Sequence, residues 1–208
     1  MVRLPIVAEN WLDGDQPSGD KPIAPADSGG GAAGNSAPVN PIGPVQGYPE
    51  DGQHAWRAAN DEVIVAAAKK YNTEHQYQSG DAEYMTPKLM KAWMMQESGG
   101  TPDAFKTDPF QVNKAGDWDP AKANKNFAGL SQGQAMTPQT SADAALKWLH
   151  YKGRIDTDGK PPKWVPYQGH YEALRNYNAA PLNGLPNGVD YANSVLNKAW
   201  ASYGDWQR

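Results

Sequence analysis

The 208-residue chain reads as a mainly α body that carries a Pro/Gly-rich N-terminal arm. Two observations predict this. Residues 13–49 hold seven prolines and eight glycines among Asp, Ser and Ala, and such a composition buries too little apolar surface to offset the entropy of ordering it. From Gly52 onward, apolar residues recur at three- and four-residue spacing, and no convincing run alternates as a strand would. The expected division is an extension and linker over 1–51 and a helical domain over 52–208.

Within the arm, Val2 to Leu12 is richer in apolar residues and suits a docked strand or an extended clip. The body opens with a helix expected over His54–Tyr71, which contains Trp56, Val63, Ile64, Ala67 and Ala68, with Lys69 and Lys70 near its end, where cations favour the helix dipole. A polar loop, Asn72–Tyr84, leads to a helix over Thr86–Glu97. Thr86 suits the N-cap and Pro87 the first turn, while Leu89, Met90, Trp93 and Met94 make an apolar stripe. Residues 98–140 are loop-rich, with room for a short helix around Pro120–Phe127; a loop segment of this length in a compact domain usually carries function. Ser141 is the expected cap of the next helix, with Ala144, Ala145, Leu146, Trp148 and Leu149 packing inward. Lys152–Pro166 is a polar insertion. Two further helices are expected over His170–Asn178 and Asp190–Tyr203, the second with Tyr191, Val195, Leu196, Ala199 and Trp200 on one side.

Composition excludes several classes of function. A net charge of −4 provides no basic footprint for nucleic acid or for an anionic membrane surface. The chain has no cysteine, which removes disulfides, thiol nucleophiles and thiolate metal sites. His54, His75, His150 and His170 show no metal-ligand spacing. Asp156-Thr157-Asp158-Gly159 resembles a calcium loop only in fragment, because Arg154 and Val165 stand where ligands belong. Neither a metal nor a cofactor is expected. No stretch reaches transmembrane length. Met1–Trp11 lacks the pattern of a cleavable signal, since its apolar run is short, contains Pro5 and stops at Glu9.

Glu97 falls one turn beyond Trp93, on the line 89-93-97, just before Ser98-Gly99-Gly100 ends the helix. A carboxyl desolvated by Trp and Met has a raised pKa, which suits a proton donor at neutral pH. Two further constellations accompany it: Asp108-Pro109-Phe110-Gln111-Val112-Asn113, and Ala173-Leu174-Arg175-Asn176-Tyr177-Asn178-Ala179. The order is a helix ending in Glu-Ser, a Gln-Val-Asn loop, an Ala-Leu-Lys-Trp-Leu helix, Tyr-Asn-Ala, and a final Tyr-Ala-x-x-Val-Leu helix. Over roughly residues 85–200 this order resembles the catalytic domain of soluble lytic transglycosylases, within the lysozyme-like superfamily.

The resemblance implies a lysozyme-like helical domain in which Glu97 is the single catalytic acid and then base. It implies that Ser98 helps to orient Glu97, that Gln111 lines the sugar cleft, and that Tyr177 and Asn178 are the family's substrate-binding Tyr-Asn pair, whose tyrosine stands near the carboxyl. Phe110 and Asn113 belong to the same cleft segment, and Trp93, Phe110 and Tyr177 are candidates to shape it. The chain departs from the family in having Asp108-Pro109-Phe110-Gln111 where Gly-Leu-Met-Gln is usual, and in its insertion 152–166.

The implied activity is cleavage of the MurNAc-GlcNAc β-1,4 bond of peptidoglycan, giving 1,6-anhydroMurNAc ends. One acid suffices because the attacking hydroxyl is tethered to the reacting sugar. A muramidase of the same fold would use water, held by a second carboxylate such as Asp108, Asp117 or Asp119, each of which also suits a turn. A third reading is a peptidoglycan-binding structural module without turnover. The partners expected are the glycan strand, with an export machine or an immunity protein beside it. The expected place of action is the periplasm or cell wall, reached through a dedicated export system or by lysis.

Overall fold

The computed structural model describes residues 42–157, 163–178 and 188–204. The clip expected over Val2–Leu12 and the tip of the 152–166 insertion lie outside them. The described residues are mainly helical. Six α-helices are present: α1 Asp61–Glu74, α2 Pro87–Ser98, α3 Pro102–Thr107, α4 Pro138–Gly153, α5 His170–Tyr177 and α6 Val189–Tyr203. None of the described helices is long and apolar enough to cross a membrane.

Helix α2 is the axis of the body. The Thr86 side chain accepts from Leu89 N at 3.1 Å, and Pro87 occupies the first turn, as expected. Leu89 to Met95 are then buried without interruption, Lys91 included, so α2 is enclosed on all sides rather than along one stripe. It packs against α1 and α6, while α4 closes the other side through α1 and α5.

Several expectations need correction. The first helix does not run from His54: a 3-10 turn, Gly52–Ala58, precedes α1, which starts at Asp61. The physical reason lies in Asn60-Asp61-Glu62, a cap residue followed by two acids that favour the positive end of a helix. The Asn60 amide does not close on its own helix but donates to Phe105 O at 2.8 Å. Helix α4 is capped by Thr137, through a reciprocal capping box with Thr140, and not by Ser141. Ser141 is buried and donates instead to Asp108 Oδ1 at 2.6 Å. The Pro120–Phe127 region forms only a 3-10 turn, Pro120–Ala123. The insertion carries a short antiparallel pair, β1 Ile155–Asp156 with β2 Lys163–Trp164, where no strand was expected.

The arm also ends earlier than composition implies. Contacts divide the chain between Val39 and Asn40. Val45 is buried in the core, Tyr203 donates to Gly43 O at 2.8 Å, and Arg57 donates to Pro49 O at 3.1 Å. Glu50 and Asp61 both pair with Lys91, whose side chain is fully enclosed. Residues 42–51 are therefore part of the helical unit and not linker.

The His150 imidazole of α4 packs against α1. Arg154 Nε donates to its Nε2 at 2.8 Å, so that nitrogen accepts and the ring is neutral. The other nitrogen meets the Tyr71 hydroxyl at 2.8 Å, and the His75 and His150 rings stack with centroids 5.4 Å apart. Burial, then Arg154 and His75, push the His150 pKa down to about 4. The unfolded chain binds this proton near pH 6.5 and the folded one only near 4, so stability is full above the first value and falls as pH drops towards the second. Urea melts at pH 7 and pH 4.5 are expected to differ by on the order of 2–3 kcal/mol from this group, and His150→Gln should flatten that slope.

Candidate active site

Glu97 lies in the last turn of α2, half-buried. Its Oε1 accepts from the hydroxyl of Tyr191 in α6. Burial raises the Glu97 pKa to about 7; the Tyr191 hydrogen bond and Lys114 oppose the rise, while Asp108 and Asp117 add to it. The expected desolvated carboxyl is therefore present, poised to hold or release a proton at neutral pH.

Tyr191 is the residue that sequence reasoning placed elsewhere. It stands in register with Val195 and Ala199 and reads as core, and it is indeed 6 % exposed. Its phenol pKa is pushed far up, first by burial and then by the Glu97 charge, so it remains a donor at any working pH. The signal available was its place at the head of Tyr-Ala-x-x-Val-Leu.

Tyr177 stands near Glu97, whose charge, after burial, raises the phenol pKa. Its hydroxyl, however, donates to Phe110 O at 3.0 Å, and its ring meets Trp93 edge-on at 4.9 Å. Trp93 and Phe110 were candidates to line the cleft. Both are fully buried, packed edge-to-face at 4.8 Å, and support the site from below. Ser98 is likewise enclosed: its hydroxyl donates to Pro109 O at 2.7 Å and to Met94 O at 3.3 Å. It ties the end of α2 to the following loop and cannot touch a ligand. Asn178 caps α5, and the Gly188 backbone crosses so close to its carbonyl that a Cβ there would lie 2.7 Å away. Among the described residues no hydrogen bond joins Asn178 to Glu97.

Gln111 and Asn113 do reach an open groove. A hollow of about 430 Å³ is lined by Asp108, Gln111, Asn113, Lys114, Gln134 and Met136 among others. The Glu97 carboxyl is not in its lining; the two connect through Gln111, whose amide donates to the Glu97 carbonyl. Gln111 holds φ at +49°, a left-handed backbone that costs a non-glycine residue about 1 kcal/mol. The Asn113 amide nitrogen donates to Gln134 O at 3.1 Å and Ser131 O at 3.3 Å, fixing the opposite wall. A larger hollow of about 690 Å³ lies at the other end of α2, by Pro87 and Tyr84, and belongs to no predicted site.

The second-carboxylate candidates take the turn role. Asp108 accepts from Val112 N at 3.1 Å, Asn113 N at 2.9 Å and the Ser141 hydroxyl, so both oxygens are engaged. Asp119 caps the Pro120–Ala123 turn through Ala121 N at 2.9 Å. Asp117 alone is exposed within electrostatic reach of Glu97. No cluster of three or more His, Asp or Glu suited to a metal ion occurs among the described residues. The chain matches no family model, no curated protein and no solved structure.

Proposed function

We propose that Glu97 is the proton-transfer residue of a lysozyme-like site that cleaves the β-1,4 glycan strand of peptidoglycan by the transglycosylase route. The observation that carries this reading is a half-buried carboxyl with a pKa of about 7, whose own backbone carbonyl is held by Gln111 of a groove wall where the lining carboxylate, Asp108, is already bound by three donors. Protonated Glu97 gives its proton to the leaving glycosidic oxygen as that bond to the muramyl anomeric carbon breaks. The resulting carboxylate then takes the proton of the sugar's own carbon-6 hydroxyl as its oxygen closes on the same carbon. Tyr191 holds the carboxyl in place through both halves, and Gln111 fixes the backbone beneath it.

A muramidase keeps one observation in its favour, the exposed carboxylate of Asp117. Product ends separate the two. Digestion of purified sacculi is expected to release anhydro ends that resist borohydride; borohydride-reducible ends in their place would assign the water route. In the proposed setting the enzyme works in the periplasm or wall, delivered by a dedicated export machine or by lysis, and an immunity protein would restrain it in the producing cell.

A further inference from the structure

The hollow of about 690 Å³ at the start of α2 has the size of a small-molecule site and a wall that is built before any ligand arrives. Pro87 lines it, and Glu97 lies at the other end of the same helix, about 15 Å along its axis. The Asn72 side chain, in the last turn of α1, clamps the loop that follows. Its Nδ2 donates to Met85 O at 2.8 Å and its Oδ1 accepts from Met85 N at 2.9 Å. Gln76 turns that loop with φ at +57°, a left-handed backbone. Tyr77 N donates to Asn72 O at 2.9 Å, and the Tyr77 ring stacks on His75 with centroids 5.3 Å apart and 12° between planes. The phenol is therefore a fixed part of the wall.

The lining carries charge of one sign. Lys69 is its only ionic side chain; it is exposed, and no ion pair among the described residues includes it. The acids of the loop are engaged: Asp81 accepts from Gln78 N at 2.7 Å, and Glu83 pairs with Arg154 at 3.6 Å. Thr73, Gln76, Gln78 and Tyr84 supply hydroxyls and amides, groups that both donate and accept. Val65 and Ala68 add apolar surface. A sugar answers this set on each count. Its hydroxyls donate and accept in turn, its C–H face suits a braced tyrosine ring, and an acidic substituent suits Lys69. A multiply phosphorylated ligand would need more than one cation.

We propose that this hollow is a second glycan site, which binds a carboxylate-bearing sugar of the muramyl type and anchors the strand away from Glu97. The acidic-sugar chemistry comes from the lining; the choice of a muramyl sugar rests on the peptidoglycan reading given above.

The test is nitrogen-15 chemical-shift mapping on full-length Glu97→Gln, which prevents cleavage. The probes are a MurNAc-GlcNAc tetrasaccharide with free lactyl carboxylates, chitotetraose, which has no acid, and an acidic tetrapeptide without sugar. The amides of Lys69, Gln76, Tyr77 and Gln78 are expected to shift saturably with the muramyl probe and at higher concentration with chitotetraose. Lys69→Glu, at an exposed position, should weaken muramyl binding about two- to tenfold, the range for exchanging an exposed ion pair for a repulsion, and leave chitotetraose unchanged. Tyr77→Ala should abolish both responses; if it does not fold, the Lys69→Glu contrast decides alone. Four results overturn the proposal: no shift at these amides, shifts confined to Gln111–Gln134, an equal response to the peptide, or muramyl binding unaltered in Lys69→Glu. Saturable shifts here, from a protein whose wild type releases nothing from sacculi, count against the transglycosylase reading alone.

Discussion

Glu97→Gln is expected to cut turnover of sacculi by roughly a hundred- to ten-thousand-fold, the range for loss of a general acid that also serves as base. The amide is isosteric and its oxygen still accepts from Tyr191, so groove and fold should persist. Stability should move the other way. The Glu97 pKa is about 7 in the folded chain against 4.5 for a free carboxyl. A raised folded value means that its contribution is fully present below 4.5 and is lost as pH rises through 7. At pH 8 the variant is therefore expected to be more stable than the wild type by about 1–3 kcal/mol, and the difference should vanish near pH 4. Denaturant melts at both pH values, read beside muropeptide release, check the two halves together. A variant that keeps wild-type turnover would remove the mechanism.

Lys91→Met is expected to be the most damaging single change in the body. Lys91 is fully enclosed between Glu50 and Asp61, whose side chains are 11 % and 10 % exposed. Removing the cation leaves two desolvated carboxylates facing each other, a loss of about 3–5 kcal/mol for breaking a buried pair. Burial already raises the Asp61 pKa, and Glu50 adds to that rise against the pull of Lys91. The deficit should therefore shrink as pH falls and the Asp61 carboxyl takes up a proton. Neutralising all three, with Glu50→Gln and Asp61→Asn added, should recover most of the loss, because the unpaired charge and not the missing contact carries the cost. Urea midpoints of the single and triple variants at pH 7 check this; equal deficits would show that packing around Lys91 dominates.

Helix α2 and its acid were legible because their signals are local: Thr86-Pro87 starts the helix and the spacing 89-93-97 sets the face. What lay beyond the sequence was pairing over distance. Tyr191 is 94 residues from Glu97, and nothing in its own heptad separates a core phenol from one aimed at a carboxylate. Trp93 and Phe110 failed for the opposite reason. An aromatic next to a candidate acid suits a cleft wall or the floor beneath it, and only packing decides between them. The prolines and glycines of residues 42–51 read as linker, while two side chains, Val45 and Glu50, anchor them. Ser141 lost the cap to Thr137 because a Thr-Pro pair with Thr140 satisfies two backbone groups at once.

The left-handed backbone at Gln111 has a consequence for anyone seeking a hardier protein. Glycine is the natural relief for that conformation, so a search driven by melting temperature alone would be drawn to position 111. It would there erase the amide that links the groove to the carbonyl of Glu97. Robustness and the proposed chemistry compete for this one position, and selection for the first would quietly discard the contact that the second relies on.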